Sequence, residues 1–116
     1  MFLKLGHTSL RTFAVTRELV LECYRQTLSF PNEEKFALTQ QIRRAVVSVH
    51  LNIAEGCSRK SLAERRRFFE ISRSSLVEVD TAFDIAVELH YTTKEKLSRL
   101  ELLIIDSFKM LTKMIS

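Results

Sequence analysis

The side chains of this 116-residue chain that could do chemistry are few and scattered. His7, His50 and His90 fall in three separate regions with no H-x-x-x-H or E-x-x-H spacing, so the paired ligands of a bundle metal site are missing. Cys23 and Cys57 stand alone, without a C-x-x-C or a His-Cys grouping, which supports neither a disulfide framework nor a zinc site. Cys57 follows Gly56 close to Arg59, where a cation would favour the thiolate, yet no histidine lies beside it in sequence to serve as a base. Gly6 and Gly56 are the only glycines, so no glycine-rich loop is available to cradle a phosphate. These residues point away from an enzyme, and no cofactor or metal is expected.

A different chemistry is open to the basic side chains. Between Arg59 and Arg73 the chain carries Arg59, Lys60, Arg65, Arg66, Arg67 and Arg73 against Glu64 and Glu70. Overall, 18 Lys and Arg oppose 14 Asp and Glu, a net charge of +4, which permits contact with an acidic polymer but is modest for a dedicated nucleic-acid binder. Arg59, Lys60, Arg65 and Arg66, with Arg43 and Arg73, are the candidate contacts to RNA or DNA phosphates. No exposed alternation of aromatic and basic residues offers a base-stacking platform, so such binding would be salt-sensitive and weakly sequence-selective. The competing reading is a solvated helix start paired with Glu64 and Glu70, the protein then being a scaffold or adaptor directed at another protein.

The elements that must position these residues are helical. With 46% hydrophobic and 28% charged residues the chain lies within globular limits, and two glycines and one proline are too few for the turns of a β-sandwich. Met1 to Leu10 has no long apolar stretch or cleavage pattern, and apolar runs elsewhere are broken by charges; neither a membrane nor a secreted protein is expected, and a reduced cytoplasmic setting fits the cysteines. The first helix is expected over 9–28 with Leu10, Phe13, Ala14, Val20, Leu21, Tyr24 and Leu28 on one face. Phe30-Pro31-Asn32 ends it, and Glu33-Glu34 suit the start of a new helical turn. The second helix uses Leu38, Ile42, Ala45, Val46, Val49 and Ile53 up to Gly56, placed as a left-handed cap. Ser61-Leu62-Ala63-Glu64 reads as a capping box opening the third helix, which buries Phe68, Ile71, Ser72, Ser75, Leu76, Val79, Ala82, Phe83, Ala86 and Leu89. Thr92-Thr93-Lys94-Glu95 repeats that logic before the fourth, with Leu97, Leu100, Ile104, Phe108, Leu111 and Ile115 as its stripe. The short connections give one domain over 1–116, an all-α, antiparallel up-down-up-down four-helix bundle.

Two helices carry more apolar width than a bundle core needs. Val47, Leu51 and Ala54 on the second, and Leu103, Met110 and Met114 with Leu102 and Ile105 on the fourth, are expected to mediate self-association. Along the second helix Gln41, Arg44, Ser48, Asn52 and Glu55 form a polar seam beside the core face, and folding the third helix back makes the pairs Glu55–Arg67 and Arg44–Glu78 expected.

The run Phe30-Pro31, then Leu38-Thr39-x-Gln41-Ile42-Arg43-Arg44-Ala45, Ser48-Val49 and Asn52-Ile53-Ala54-Glu55-Gly56, followed by Arg67-Phe68, Ile71, Ser75 and Glu78, resembles the bacterial four-helix-bundle proteins encoded in intervening sequences of 23S rRNA genes. The resemblance spans nearly the whole chain and implies a homo-oligomeric ring, a pentamer. It also implies kinship with the accessory variability determinant of diversity-generating retroelements, a basic bundle that partners a reverse transcriptase and binds nucleic acid. The chain departs from the pattern at His50, where proline is usual and a kink would follow, and at Ser74 in place of glycine; in the first helix, where an aromatic, often tryptophan, is usual, Phe13 takes the place.

Overall fold

Helical periodicity, one well-formed N-cap and a proline-bounded turn account for the element order in the computed structural model, which describes all 116 residues, the side chain of Ser9 excepted. After a 3-10 turn at Gly6–Ser9 come α1 (Arg11–Thr27), a second 3-10 turn at Asn32–Glu34, α2 (Leu38–Ser58), α3 (Leu62–Glu88) and α4 (Ser98–Ile115). Each helix packs on its sequence neighbours and α1 closes against α4, while α2 and α4 lie diagonally, as do α1 and α3. The result is an up-down-up-down bundle of 44 × 29 × 23 Å, its long axis set by the 27 residues of α3, roughly 40 Å at 1.5 Å per residue.

The core faces of α2 and α3 follow the spacing of their apolar residues. Ile42, Val46, Val49 and Ile53 from α2 meet Phe69, Leu76, Val79 and Phe83 from α3, all fully or nearly fully buried. Burial of a side chain of this size stabilises the fold by about 1.5–3 kcal/mol, so this seam is the main apolar contribution. On α3, however, Phe68 is only half-buried and Ile71 and Leu89 are exposed; Phe69, one position round the helix, fills the place expected for Phe68.

On α1 the buried face is rotated from the expected one. Thr12, Phe13, Thr16, Leu19, Cys23 and Thr27 point inward, whereas Leu10, Leu21, Tyr24 and Leu28 are exposed. Thr16 and Thr27 can be buried because their hydroxyls are satisfied within the helix: Thr16 Oγ1 donates to the Phe13 carbonyl at 3.2 Å, and Thr27 Oγ1 to that of Cys23 at 2.8 Å. On α4 the expected stripe holds at Leu97, Leu100 and Leu111, but Phe108 is exposed and Ser107 takes the inward position.

Caps also hold in part. Ser61 Oγ accepts from the Glu64 amide at 3.0 Å, as the capping-box pattern requires. Glu34 Oε1 accepts from the Leu38 amide at 3.2 Å, so this carboxylate serves the start of α2. The capping box expected at Thr92 does not open α4: its N-cap residue is Leu97, with no side-chain cap bond, and Thr93 Oγ1 accepts from the Lys96 amide at 3.3 Å in the turn ahead of the helix. Gly56 is not a left-handed cap: it lies inside α2, and no glycine has a positive φ. A Cβ there would stand 2.6 Å from Phe69 Cε1 and 3.2 Å from the Arg65 carbonyl, so the glycine lets α3 approach α2 closely. The residue that does take the left-handed conformation is His90, φ 62°, which closes α3 with its amide bonded to the Val87 carbonyl and that of Tyr91 to Ala86.

Candidate functional site

Each part of the candidate site rests on how the helices turn back on themselves. The polar seam forms between α2 and α3. Asn52 Nδ2 donates to the Ser48 carbonyl at 2.8 Å and to Ser48 Oγ at 3.0 Å, and the Ser48 and Ser75 hydroxyls share a hydrogen bond of 2.9 Å. Below it, fully buried Ser72 donates to the Val49 carbonyl at 2.6 Å. Gln41 Nε2 donates to Glu78 at 2.8 Å. The two expected ion pairs are replaced: Glu55 pairs with Arg59 one turn on, at 3.1 Å, instead of Arg67, and Glu78 is held by Gln41 instead of Arg44. For Glu55 the reason is proximity, since Arg59, four residues on at the end of α2, is already in reach. Arg44 and Arg67 are left exposed with no polar partner among the described residues.

The basic candidates divide into two groups. Arg65 is half-buried, donates to the carbonyls of Cys57 at 2.9 Å and Arg59 at 3.3 Å, and lies over the Phe69 ring; it closes the C-terminal end of α2. Arg43 does the same for α1, Nε donating to Thr27 Oγ1 at 3.0 Å with its guanidinium 4.7 Å from the Tyr24 ring centroid. Arg73 ties α3 to α4 through Thr112 at 3.2 Å and the face of Phe108. Arg59 pairs with Glu55 and covers Phe68. Lys60 and Arg66 are exposed without polar partners among the described residues, and with Arg67 they form the open part of the α2–α3 corner. Arg67, expected opposite Glu55 from the fold-back of the third helix, stands instead with the basic run at this corner.

The cysteines and His50 differ in burial and in the charges beside them. Burial pushes the Cys57 thiol above its usual range, and Arg65, not Arg59, is the cation that partly opposes this. Cys23 is fully buried and its thiol is raised by burial and by Glu22. His50 is stacked on Phe13 with centroids 4.1 Å apart, and its Nδ1 is 2.8 Å from Thr16 Oγ1. Burial, then Arg17 and His7, hold it below the usual imidazole range. With histidine at this position α2 runs unbroken from Leu38 to Ser58. Among the described residues no three His, Cys, Asp or Glu side chains gather into a metal-binding group, and no helix is long and apolar enough to cross a membrane.

Of the apolar residues assigned to self-association, Leu51 and Leu102 are well exposed, at 57% and 67%. Val47, Leu103 and Met114 are half-buried against the bundle's own core, and Met110 accepts a contact from Arg11 at 3.4 Å. Spacing missed Phe36, which is 78% exposed beside Leu51 in the groove over α2; its place next to the proline turn left it outside any helical stripe.

The same arrangement of helices occurs in a solved structure, a protein of unknown function from the S23 ribosomal protein family of Bacteroides thetaiotaomicron VPI-5482. It is 18% identical, with a TM-score of 0.80 over 90% of this chain and 98% of that one. No curated protein matches the sequence. The family described as 23S rRNA-intervening sequence protein matches residues 8–113, from the 3-10 turn ahead of α1 to the last turn of α4 and through the whole seam between α2 and α3. The chain belongs to the 23S rRNA-intervening sequence protein family.

Proposed function

We propose that this chain is a non-enzymatic, self-associating bundle whose α2–α3 corner binds the phosphate backbone of RNA or DNA. The observation that carries the reading is the set of unengaged cations at that corner, Lys60, Arg66 and Arg67, joined by Arg59. Three exposed cations bind phosphate weakly, and repetition of the corner in an assembly would add the missing affinity through avidity. Arg43, Arg65 and Arg73 are left out of the phosphate set because each already donates to a carbonyl or hydroxyl of the bundle. That same commitment favours the second reading, a protein-directed scaffold, together with the exposed apolar side chains of α2 and α4.

Fluorescence anisotropy with labelled single-stranded RNA and DNA across a salt series tests the choice. Binding at low salt that weakens steeply with added salt and is abolished by Lys60→Glu/Arg66→Glu/Arg67→Glu supports the corner. Absence of binding at low salt leaves the scaffold, and binding indifferent to the triple variant moves the site elsewhere.

A further inference from the structure

Charge is divided unevenly between the two ends of the bundle. Split at the helix midpoints, the half that carries the α2–α3 connection and the segment ahead of α1 holds 11 of the 18 Lys and Arg but only 4 of the 14 Asp and Glu. The other half holds 7 against 10. A modest net charge of +4 thus conceals a strongly cationic end and an acidic one. The cationic surplus reaches beyond the α2–α3 corner. Lys113 in the last turn of α4 and Lys4 ahead of α1 are exposed, and neither side chain has a polar partner among the described residues. Because α1 closes against α4, these two lysines stand across the bundle end from Lys60, Arg66 and Arg67.

The same end carries aromatic rings, and all but one are covered. Phe68, Phe69 and Phe108 lie under the guanidinium groups of Arg59, Arg65 and Arg73, 4.8, 5.8 and 5.7 Å from the ring centroids. Phe2 is different: it is fully exposed, two positions before Lys4, and the 3-10 turn that follows packs on α1 and α2, which anchors this arm at the cationic end. Phe36, the other strongly exposed ring, is at the acidic end with Lys35 over it at 5.5 Å.

From this arrangement we infer that a single strand of RNA or DNA crosses the cationic end of the bundle, its phosphates held by Lys60, Arg66 and Arg67 on one side and by Lys4 and Lys113 on the other, with a base stacked on Phe2. This rests on the phosphate binding proposed above and names the class of nucleic acid. An open aromatic face beside cations accepts any base, and only an unpaired strand offers a base face to it. Glu70 and Glu78 close the path down α3, and the surplus of carboxylates in the other half repels the backbone, which leaves the route across the end.

The test is fluorescence anisotropy on the full chain with labelled oligothymidylate of about 12 nucleotides, an abasic strand of the same length, and the matching duplex. Each phosphate neutralised on a single strand contributes about −0.7 to the slope of log affinity against log salt, so five cations give about −3.5 and the corner alone about −2. Lys4→Ala/Lys113→Ala is expected to bring the slope from the first value to the second. Phe2→Ala, at a position outside the packed bundle, is expected to weaken oligothymidylate binding by about 5- to 100-fold with the slope unchanged, and to leave the abasic strand unaffected. A slope of about −2 that the lysine pair does not move, or a Phe2→Ala protein that binds oligothymidylate as the wild type does, leaves the corner standing and overturns the crossing. Equal losses on the oligothymidylate and abasic strands, or a duplex bound as tightly as the single strand, overturn it as well. If no strand binds at low salt, the phosphate proposal itself falls.

Discussion

Replacing Gly56 by alanine sets two effects of opposite sign against each other. Gly56 is inside α2 with an ordinary helical backbone, so alanine should stabilise that helix by about 1 kcal/mol. The new methyl would, however, lie 2.6 Å from Phe69 Cε1 and 2.9 Å from Cδ1, where carbon contacts are optimal near ~3.5–4.0 Å. The ring would have to move by about 1 Å. It is 3% exposed and lies under the Arg65 guanidinium, and the Arg65 carbonyl, 3.2 Å from the same methyl, is backbone and moves only with α3. Overpacking of this kind costs about 1–3 kcal/mol, and with a backbone atom among the contacts the upper half of that range applies, so the clash should win and leave a net loss of about 1–2 kcal/mol. Urea denaturation followed at 222 nm should show a midpoint lower by about 0.5–1 M. Gly6→Ala, with nothing within 4 Å of its Cβ, is the control for handling. In a Phe69→Leu background the penalty of Gly56→Ala should shrink or reverse. A Gly56→Ala protein as stable as the wild type, or a penalty unchanged by Phe69→Leu, would refute the close-approach account.

Three further outcomes are expected. His90→Gly should raise stability by about 0.5–1 kcal/mol, seen as a melting temperature higher by about 2–4 °C, because His90 holds a left-handed conformation that glycine adopts without strain. Glu22 is buried, which by itself would raise its pKa, but hydrogen bonds from Gln26 and Arg25 and the charges of Arg25 and Arg99 bring it below 4.5. A depressed carboxylate contributes its stability fully above the unfolded value and loses it as pH falls through the folded one. Glu22→Gln should therefore melt lower than the wild type at pH 7 and converge with it in melts taken below pH 4.5. Arg65→Met should cost about 1–2 kcal/mol by leaving the Cys57 and Arg59 carbonyls without their donor, while Arg66→Met stays within about 0.5 kcal/mol in the same denaturation assay.

How far the bundle was legible in the sequence varied with how each helix buries its face. On α2 the inward residues are the apolar ones, and periodicity finds Ile42, Val46, Val49 and Ile53 directly. On α1 the inward stripe includes Thr12, Thr16 and Thr27, and the hydroxyls of Thr16 and Thr27 bond back to their own helix, so counting hydrophobic side chains selects Leu21 and Leu28 and turns the helix the wrong way. The seam was legible at Ser48 and Asn52 because short, half-buried polar side chains beside an apolar face have few other ways to be satisfied. Its ion pairs were not, because spacing along one helix says which residues share a face but not which of two partners is nearer.

The basic residues show a more general difficulty with reading a ligand site from charge alone. Arg43 lies in the second turn of α2 and Arg65 in the first turn of α3, each just after a connection that reverses the chain. In an antiparallel pair the early turns of one helix stand beside the late turns of its predecessor, where carbonyls lack intrahelical partners and the helix dipole is negative. A guanidinium there has an internal acceptor before any outside anion arrives, as the contacts of Arg43 with Tyr24 and Thr27 and of Arg65 with Cys57 and Arg59 show. Lys60 and Arg66 occupy the same corner without such acceptors. Cations in the first turns after a tight reversal should therefore be discounted for the preceding helix end before they are credited to phosphate, a correction that leaves Lys60, Arg66 and Arg67 as the residues whose replacement tests the proposed phosphate binding without a cost in stability.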